Sequence, residues 1–224
     1  MGRTGAARRS APARTADPYA DALGSGRGPL FLRGADGSML ALEVERWCAD
    51  VDHADTTVLR RCEGAVLDVG CGPGRMVVGL AARGQRGLGI DTHPAAVRRT
   101  RAAGGRALRR SVFDALPGEG GWPTALLLDG NIGIGGDPED LLARMADVVA
   151  PGGLLLVEVA GEDVDERLAA RICDASGRCT APFAWARVGA AALAATASRT
   201  SWTVVETWSC GRRLFTALRR RERL

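Results

Sequence analysis

What most constrains this chain is an abrupt change of backbone requirement. The apolar run Ala65 to Val69 stops at Gly70-Cys71-Gly72-Pro73-Gly74, and a helical pattern from Met76 to Arg83 follows at once. A short run that is apolar at every position reads as a strand buried on both faces, as in a parallel sheet. Glycines at 70, 72 and 74 let the backbone leave such a strand sharply and let a ligand approach with no Cβ in the way, just ahead of a helix N-terminus. This is a cradle of nucleotide size. The dinucleotide fingerprint G-x-G-x-x-G does not fit, because the third glycine comes one residue early and Pro73 intervenes. A plain structural turn is the competing reading of the glycines taken alone.

Strand and helix signals alternate beyond this turn. Gly87 to Asp91 reads as a second strand, Pro94 opens a helix to about Ala103, Leu108 to Phe113 is a third strand and Ala125 to Asp129 a fourth. Asp137-Pro138-Glu139-Asp140 combines a cap, a proline in the first turn and acids at the positive helix end, with Leu141, Leu142, Met145, Val148 and Val149 on one face behind it. Pro151-Gly152-Gly153 stops that helix and Leu154 to Val159 is a fifth strand. Such alternation implies right-handed crossovers and a mainly parallel sheet. Upstream, Asp55 is placed to cap a helix from Thr56 to Cys62, Leu23 to Pro29 is a Gly-rich piece, and Met39 to Val51 has the spacing of strand, helix or both. Downstream, Arg167 to Cys173 and Thr180 to Val188 flank Ala175-Ser176-Gly177 as an inserted hairpin, and an Ala-rich helix runs from Gly189 to Ser198. Trp202 to Trp208 and Arg213 to Leu218 form a closing antiparallel hairpin.

Composition sets the remaining bounds. With 224 residues, 46% of them hydrophobic, the chain has the material for one α/β domain with additions. The expected division is a flexible Arg-rich tail over 1–16, a lead-in over 17–54 that packs on the domain, and the domain itself over 55–224 with an insertion around 163–188. All 30 basic residues are Arg, which excludes Schiff-base, pyridoxal and phosphate-loop lysine chemistry. The net charge of +4 comes from Arg at the two ends rather than from a basic folded face, so a nucleic-acid partner is not expected. Val188 to Ala197 is far short of the roughly 20 residues of a membrane span. Six cysteines without a C-x-x-C pair, and two histidines, give no zinc pattern, so no metal site, reduced thiols and a cytoplasmic location are the expectation.

Asp91 closes the second strand in Gly89-Ile90-Asp91, 21 residues after Gly70, where an acid can accept both hydroxyls of an adenosine ribose. A carboxylate serving only to cap the helix at Pro94 would not require that spacing. With Asp68-Val69-Gly70-Cys71-Gly72-Pro73-Gly74 and Asp91 together, the chain resembles the class I S-adenosylmethionine-dependent methyltransferases over about Asp55 to Val159. The resemblance implies a Rossmann-like α/β sandwich whose mainly parallel seven-stranded sheet ends in an antiparallel C-terminal hairpin. It implies S-adenosylmethionine as cofactor, with Gly70, Cys71, Gly72 and Gly74 forming the turn beside its methionine and ribose. Asp91 would take the ribose hydroxyls, Thr92 would lie against the adenine, and Asp114 would accept from the adenine amine with Phe113 beside it. Asp68 would be a structural or amine-binding acid, and Asp129 to Asn131 would lie between the methyl group and the acceptor.

The family's amino-methylating nucleic-acid members carry Asn/Asp-Pro-Pro-Tyr/Phe after the fourth strand; this chain has Asp129-Gly130-Asn131-Ile132-Gly133-Ile134-Gly135-Gly136. A small-molecule acceptor is therefore expected, with Asn131 as the candidate catalytic residue that orients it, unless the glycines only make a long turn. Asp129 and Asn131 lack a third partner for the divalent metal of catechol-type members. No general base stands out: His93 adjoins Asp91, His53 precedes a helix, Glu158 faces cleft or solvent, and Trp185 is acceptor platform or core. Methyl transfer from a sulfonium depends on in-line alignment, which can supply about 7 to 11 kcal/mol. Two other functions compete: a catalytically silent cofactor-binding sensor or partner protein, and a nicotinamide oxidoreductase, which the early third glycine and the closing hairpin disfavour.

Overall fold

The computed structural model describes residues 17–222, so the tail expected over 1–16 lies outside the described residues. Helix α1 (Pro18–Ser25) is capped by Asp17, which accepts the Ala20 N–H, and ends at Gly26 in a left-handed conformation. Strands β1 (Leu30–Gly34) and β2 (Met39–Leu42) follow, then helices α2 (Val44–Cys48) and α3 (His53–Leu59). The alternating part runs β3 (Val66–Val69), α4 (Arg75–Ala82), β4 (Gly87–Asp91), α5 (Pro94–Ala102), β5 (Ala107–Arg109), β6 (Trp122–Leu127), α6 (Pro138–Val148) and β7 (Val149–Val159). It closes with β8 (Asp165–Asp174), β9 (Phe183–Val188), α7 (Ala190–Arg199), β10 (Trp202–Cys210) and β11 (Arg213–Arg220).

Seven strands form the main sheet in the order β10-β11-β7-β6-β3-β4-β5. The five from β7 to β5 are parallel, β11 runs antiparallel to β7, and β10 runs antiparallel to β11. Every residue of β3 is buried, which explains its unbroken apolar pattern. One face packs Leu141, Leu142 and Met145 of α6 and Leu193 of α7 against the strands; the other packs Val58 of α3 and Leu80 of α4 with Phe215 of β11.

The four remaining strands make a separate antiparallel sheet, β2-β1-β8-β9. Lead-in and insertion are thus two halves of one sheet, with Leu32 opposite Ile172. Met39 to Val51 is both strand and helix, β2 and α2.

Several local expectations need correction. Asp52, not Asp55, caps α3: its carboxylate accepts the Asp55 N–H, and Asp55 accepts the Asp52 N–H in return, a capping box. The third strand stops at Arg109 rather than Phe113, because β4 ends at Asp91 and offers no parallel partner beyond it. Leu23 belongs to a helix, since Asp17-Pro18 is the same cap-and-proline start as Asp137-Pro138. Cys173 and Cys179 are joined by a disulfide across the tight turn after β8, because that turn sets the two residues opposite each other; the thiol argument for a cytoplasmic location loses its support. Among the described residues, no helix is long and apolar enough to cross a membrane.

Candidate cofactor and acceptor site

A cavity of about 1260 Å³ lies between the carboxyl ends of the parallel strands and the small sheet. It occupies the crevice in which open α/β sheets hold their ligands. Its floor is the glycine turn. Gly70, Gly72 and Gly74 have φ of +70°, +55° and +94°, a region that side chains with a Cβ rarely adopt. A Cβ on Gly74 would strike Thr100 of α5, so this glycine serves helix packing, and it does not line the cavity. A Cβ on Gly72 would meet no neighbour nearer than the Tyr19 hydroxyl at 3.9 Å, so the backbone there is open to the cavity. Cys71 also lines it, with its thiol pushed up from the usual range by burial.

Asp91 is fixed behind that turn. One carboxylate oxygen accepts the Gly72 N–H at 3.0 Å and the other accepts the His93 N–H at 2.7 Å, while burial pushes its carboxyl up from the ordinary value. The carboxylate therefore does not cap α5. That task falls to His93, whose Nδ1 accepts the Ala95 N–H. With Nδ1 an acceptor, Nε2 carries the proton and donates to Asp17 at 2.7 Å, tying α1 to the site. Thr92 lies on the cavity wall, as does Phe113, half of whose surface is exposed. Asp114 does not: its carboxylate accepts the Ser111 N–H in its own turn.

Asp68 is 3% exposed, lines the cavity, and makes no side-chain hydrogen bond among the described residues. Burial pushes its carboxyl up to about 7, against the opposing pull of the Arg75 charge. Asn131 bridges two loops, its amide donating to the Val69 and Gly70 carbonyls at 2.9 and 3.0 Å. Its nitrogen is thus spent on the glycine turn. Beside it, Gly133 and Gly136 let β9 approach the loop closely, since a Cβ on Gly133 would lie 2.1 Å from the Ala186 carbonyl. Trp185 of β9 lines the cavity over Gly130.

Asp129 is turned inward by a φ of +55° and pairs with Arg46 at 2.7 Å and Arg75 at 3.1 Å. These belong to an ion cluster that the sequence did not reveal. Arg75 also binds the fully buried Asp55 at 2.7 Å, and Arg213 donates to Asp55 at 2.7 Å and to both oxygens of Glu158 at 2.8 Å. The second Glu158 oxygen further accepts the Asp129 N–H, so Glu158 is buried and structural rather than solvent-facing. No group of three or more His, Cys, Asp or Glu among the described residues is arranged to hold a metal ion.

Residues 66–153 match the family model described as a methyltransferase domain. The fold is that of a S-adenosylmethionine-dependent methyltransferase from Bacteroides fragilis in complex with S-adenosyl-L-homocysteine, at a TM-score of 0.76 and 20% identity over 91% of this chain and 93% of that one. Residues 66–153 are thus similar to a methyltransferase domain, and the fold is the one found in S-adenosylmethionine-dependent methyltransferases. A curated relative, trans-aconitate 2-methyltransferase of Paracidovorax citrulli, is 33% identical over 98 residues, which are 42% of this chain and only 38% of that protein. The fold also matches Burkholderia thailandensis 1,6-didemethyltoxoflavin-N1-methyltransferase with bound 1,6-didemethyltoxoflavin and S-adenosylhomocysteine (TM-score 0.56, 19% identity, 76% of this chain and 78% of that one). A sugar N-methyltransferase from Streptoalloteichus matches at TM-score 0.58 and 16% identity, over 99% of this chain and 100% of that one.

The matched segment contains the glycine turn, Asp91 and Asn131, but not the small sheet or α1. Tyr19, Trp47, Trp185 and Arg213, all on the cavity wall, come from outside it. For Tyr19 a signal existed in the Asp17-Pro18 helix start. For Arg75 and Arg213 none did, because a chain whose every cation is Arg gives no hint of which ones are buried.

Proposed function

We propose that this chain binds S-adenosylmethionine across the Gly70–Gly72 turn and transfers its methyl group to a small molecule. The observation that carries the reading is Asp91, a carboxylate held by two backbone N–H groups at the rim of a glycine turn whose backbone is open to the cavity. Each oxygen keeps a lone pair for a ribose hydroxyl. When bound, the cofactor supplies an electrophilic methyl group on a sulfonium sulfur.

The chain's own residues then have defined tasks. Asp68, an acid with no partner of its own among the described residues, accepts from the cofactor's ammonium. Thr92 and Phe113 border the adenine. Asn131 holds the turn's carbonyls in place and, with Asp129, sets the floor between cofactor and acceptor. The small sheet lines one side of the crevice, with Trp185 facing the acceptor. Alignment of this kind, rather than a side-chain base, supplies the catalytic advantage. A small acceptor is supported by the size of the cavity and by the names of the similar proteins, which act on trans-aconitate, 1,6-didemethyltoxoflavin and a sugar.

Isothermal titration is the test. S-adenosylmethionine and S-adenosylhomocysteine are expected to bind 1:1, and NAD not at all. An absence of heat and of thermal shift at millimolar ligand, a ceiling of about −4 kcal/mol, would falsify the assignment. Formation of the demethylated product across an acceptor library then separates an enzyme from a silent binding domain.

A further inference from the structure

The register of the small sheet puts five apolar side chains on one of its faces. Leu32 of β1 stands opposite both Leu40 of β2 and Ile172 of β8, while Phe183 and Trp185 of β9 stand opposite Ala170 and Leu168 of β8. Directly paired residues, and residues two apart on one strand, share a face. All five line the cavity, where Leu40 is left 45% exposed. Phe183 and Trp185 form an edge-to-face pair with ring centroids 5.9 Å apart. Trp185 also reaches the floor. A Cβ on Gly130 would lie 3.9 Å from its ring and one on Gly133 only 2.8 Å, so the ring rests on the loop that carries Asn131. The Asn131 amide in turn donates to the Gly70 carbonyl at 3.0 Å, which puts the Trp185 ring one loop away from the turn assigned to the cofactor.

The charges around this face are already cancelled. Arg187, two residues beyond Trp185 and on the same face of β9, pairs with Glu166 at 2.8 Å and Glu162 at 3.0 Å. Asp129 holds Arg46 at 2.7 Å and Arg75 at 3.1 Å, and Glu158 holds Arg213 at 2.8 Å. Glu43 and Arg212, which also line the cavity and are unpaired among the described residues, are exposed and opposite in sign. An ion brought here would lose its water without gaining a free counter-ion, which is costly. A sugar would set its hydroxyls against aliphatic and aromatic side chains that cannot bond them. A flat apolar ring meets a matching surface, and its face or edge can pair with the two aromatic rings.

We propose that the acceptor is a neutral, planar aromatic molecule, held against Trp185 and Phe183 with the apolar face of the small sheet beside it. This rests on the methyltransferase reading above and names the class of molecule that the same site takes. It makes the inserted strands β8 and β9, with β1 and β2, the part of the chain that selects the acceptor.

The test uses four probes built on one bicyclic carbon frame, which separate charge from planarity. At neutral pH 2-naphthol is neutral and planar, decahydro-2-naphthol neutral and saturated, 2-naphthoate an anion and 2-naphthylmethylamine a cation. Each is titrated calorimetrically into the full chain saturated with S-adenosylhomocysteine. Wild type is expected to bind 2-naphthol about fivefold more tightly than decahydro-2-naphthol, as pairing with aromatic rings implies, and at least about 10-fold more tightly than either charged probe. Trp185→Leu keeps the wall apolar but removes the ring, and is expected to bring the ratio between the two neutral probes below about twofold. Phe183→Leu should lower that ratio by about half, and decides the matter should Trp185→Leu fail to fold. Equal affinities for the two neutral probes, tighter binding of either charged probe, or an unchanged ratio in the variants would overturn the proposal. So would binding of S-adenosylhomocysteine with no binding of 2-naphthol at millimolar concentration. Failure of wild type to bind S-adenosylhomocysteine would instead overturn the cofactor reading itself.

Discussion

Gly70 and Asn131 act as a pair. A Cβ on Gly70 would fall 2.6 Å from the Asn131 amide nitrogen, and the glycine's φ of +70° is itself costly for any other residue, by roughly 1 to 2 kcal/mol. Gly70→Ala is therefore expected to lower both the melting temperature and the affinity for S-adenosylhomocysteine. Asn131→Ala leaves two carbonyls unpaired and should cost about 1 to 3 kcal/mol in urea unfolding. Cofactor affinity is expected to fall with it, because the residue holds the turn. An Asn131→Ala protein with full affinity and reduced turnover would return the side chain to the acceptor. Asp68 makes a pH-dependent contribution. Its carboxyl titrates at about 7 when folded, above its unfolded value, so the folded state holds the extra proton between about pH 4 and 7. Stability from this group is highest below pH 4 and declines as pH rises to 7. Relative to Asp68→Asn, wild type should lose up to about 4 kcal/mol across that interval; parallel unfolding curves for the two proteins would show that Asp68 titrates normally.

At the scale of elements, Asp55 links three of them. It is the third residue of α3, completes the capping box with Asp52, and sits fully buried between Arg75 of α4 and Arg213 of β11. A buried ion cluster adds little over a well-packed apolar one, but removing one member strands the others. Asp55→Ala is expected to destabilise by about 3 to 5 kcal/mol, since it leaves two guanidinium groups buried and short of charge. Asp55→Asn keeps an acceptor for the Asp52 N–H and should cost less. Urea denaturation of the two variants measures the difference, and equal small losses would mean that water reaches the cluster and replaces the carboxylate.

Across the whole molecule, the small sheet makes the chain depend on distant pairing. Residues 30–34 bond to residues 170–174, so the pairs β1–β2 and β8–β9 join into one four-stranded sheet only through partners about 140 residues apart. Leu30, 1% exposed in the cluster behind Tyr19, is a keystone of this unit. Leu30→Ala is expected to cost about 2 to 5 kcal/mol. Local opening can then occur below the global unfolding energy. Hydrogen exchange should accelerate in β1, β2 and β8 while β3, β4 and β6 keep their protection. Uniform acceleration across both sheets would mean that the two unfold as one.

The parallel strands, the glycine turn, Asp91 at the end of β4 and the closing hairpin were legible from the sequence, because each is set by local causes: unbroken apolar runs, glycines at fixed spacing, turn residues at strand ends. Element ends were less legible, as with β5, since a strand's length depends on how far its neighbour extends. The α1 start at Asp17-Pro18 was written in the same signature as Asp137-Pro138, yet a lone eight-residue helix carries little periodicity to announce it. The small sheet, the Asp55–Arg75–Arg213–Glu158 cluster, the commitment of Asn131 to the turn and the pairing of Asp17 with His93 were decided only in three dimensions. Each joins residues tens of positions apart or more, and nothing in a local pattern of apolar and charged residues records which distant partner a side chain will meet.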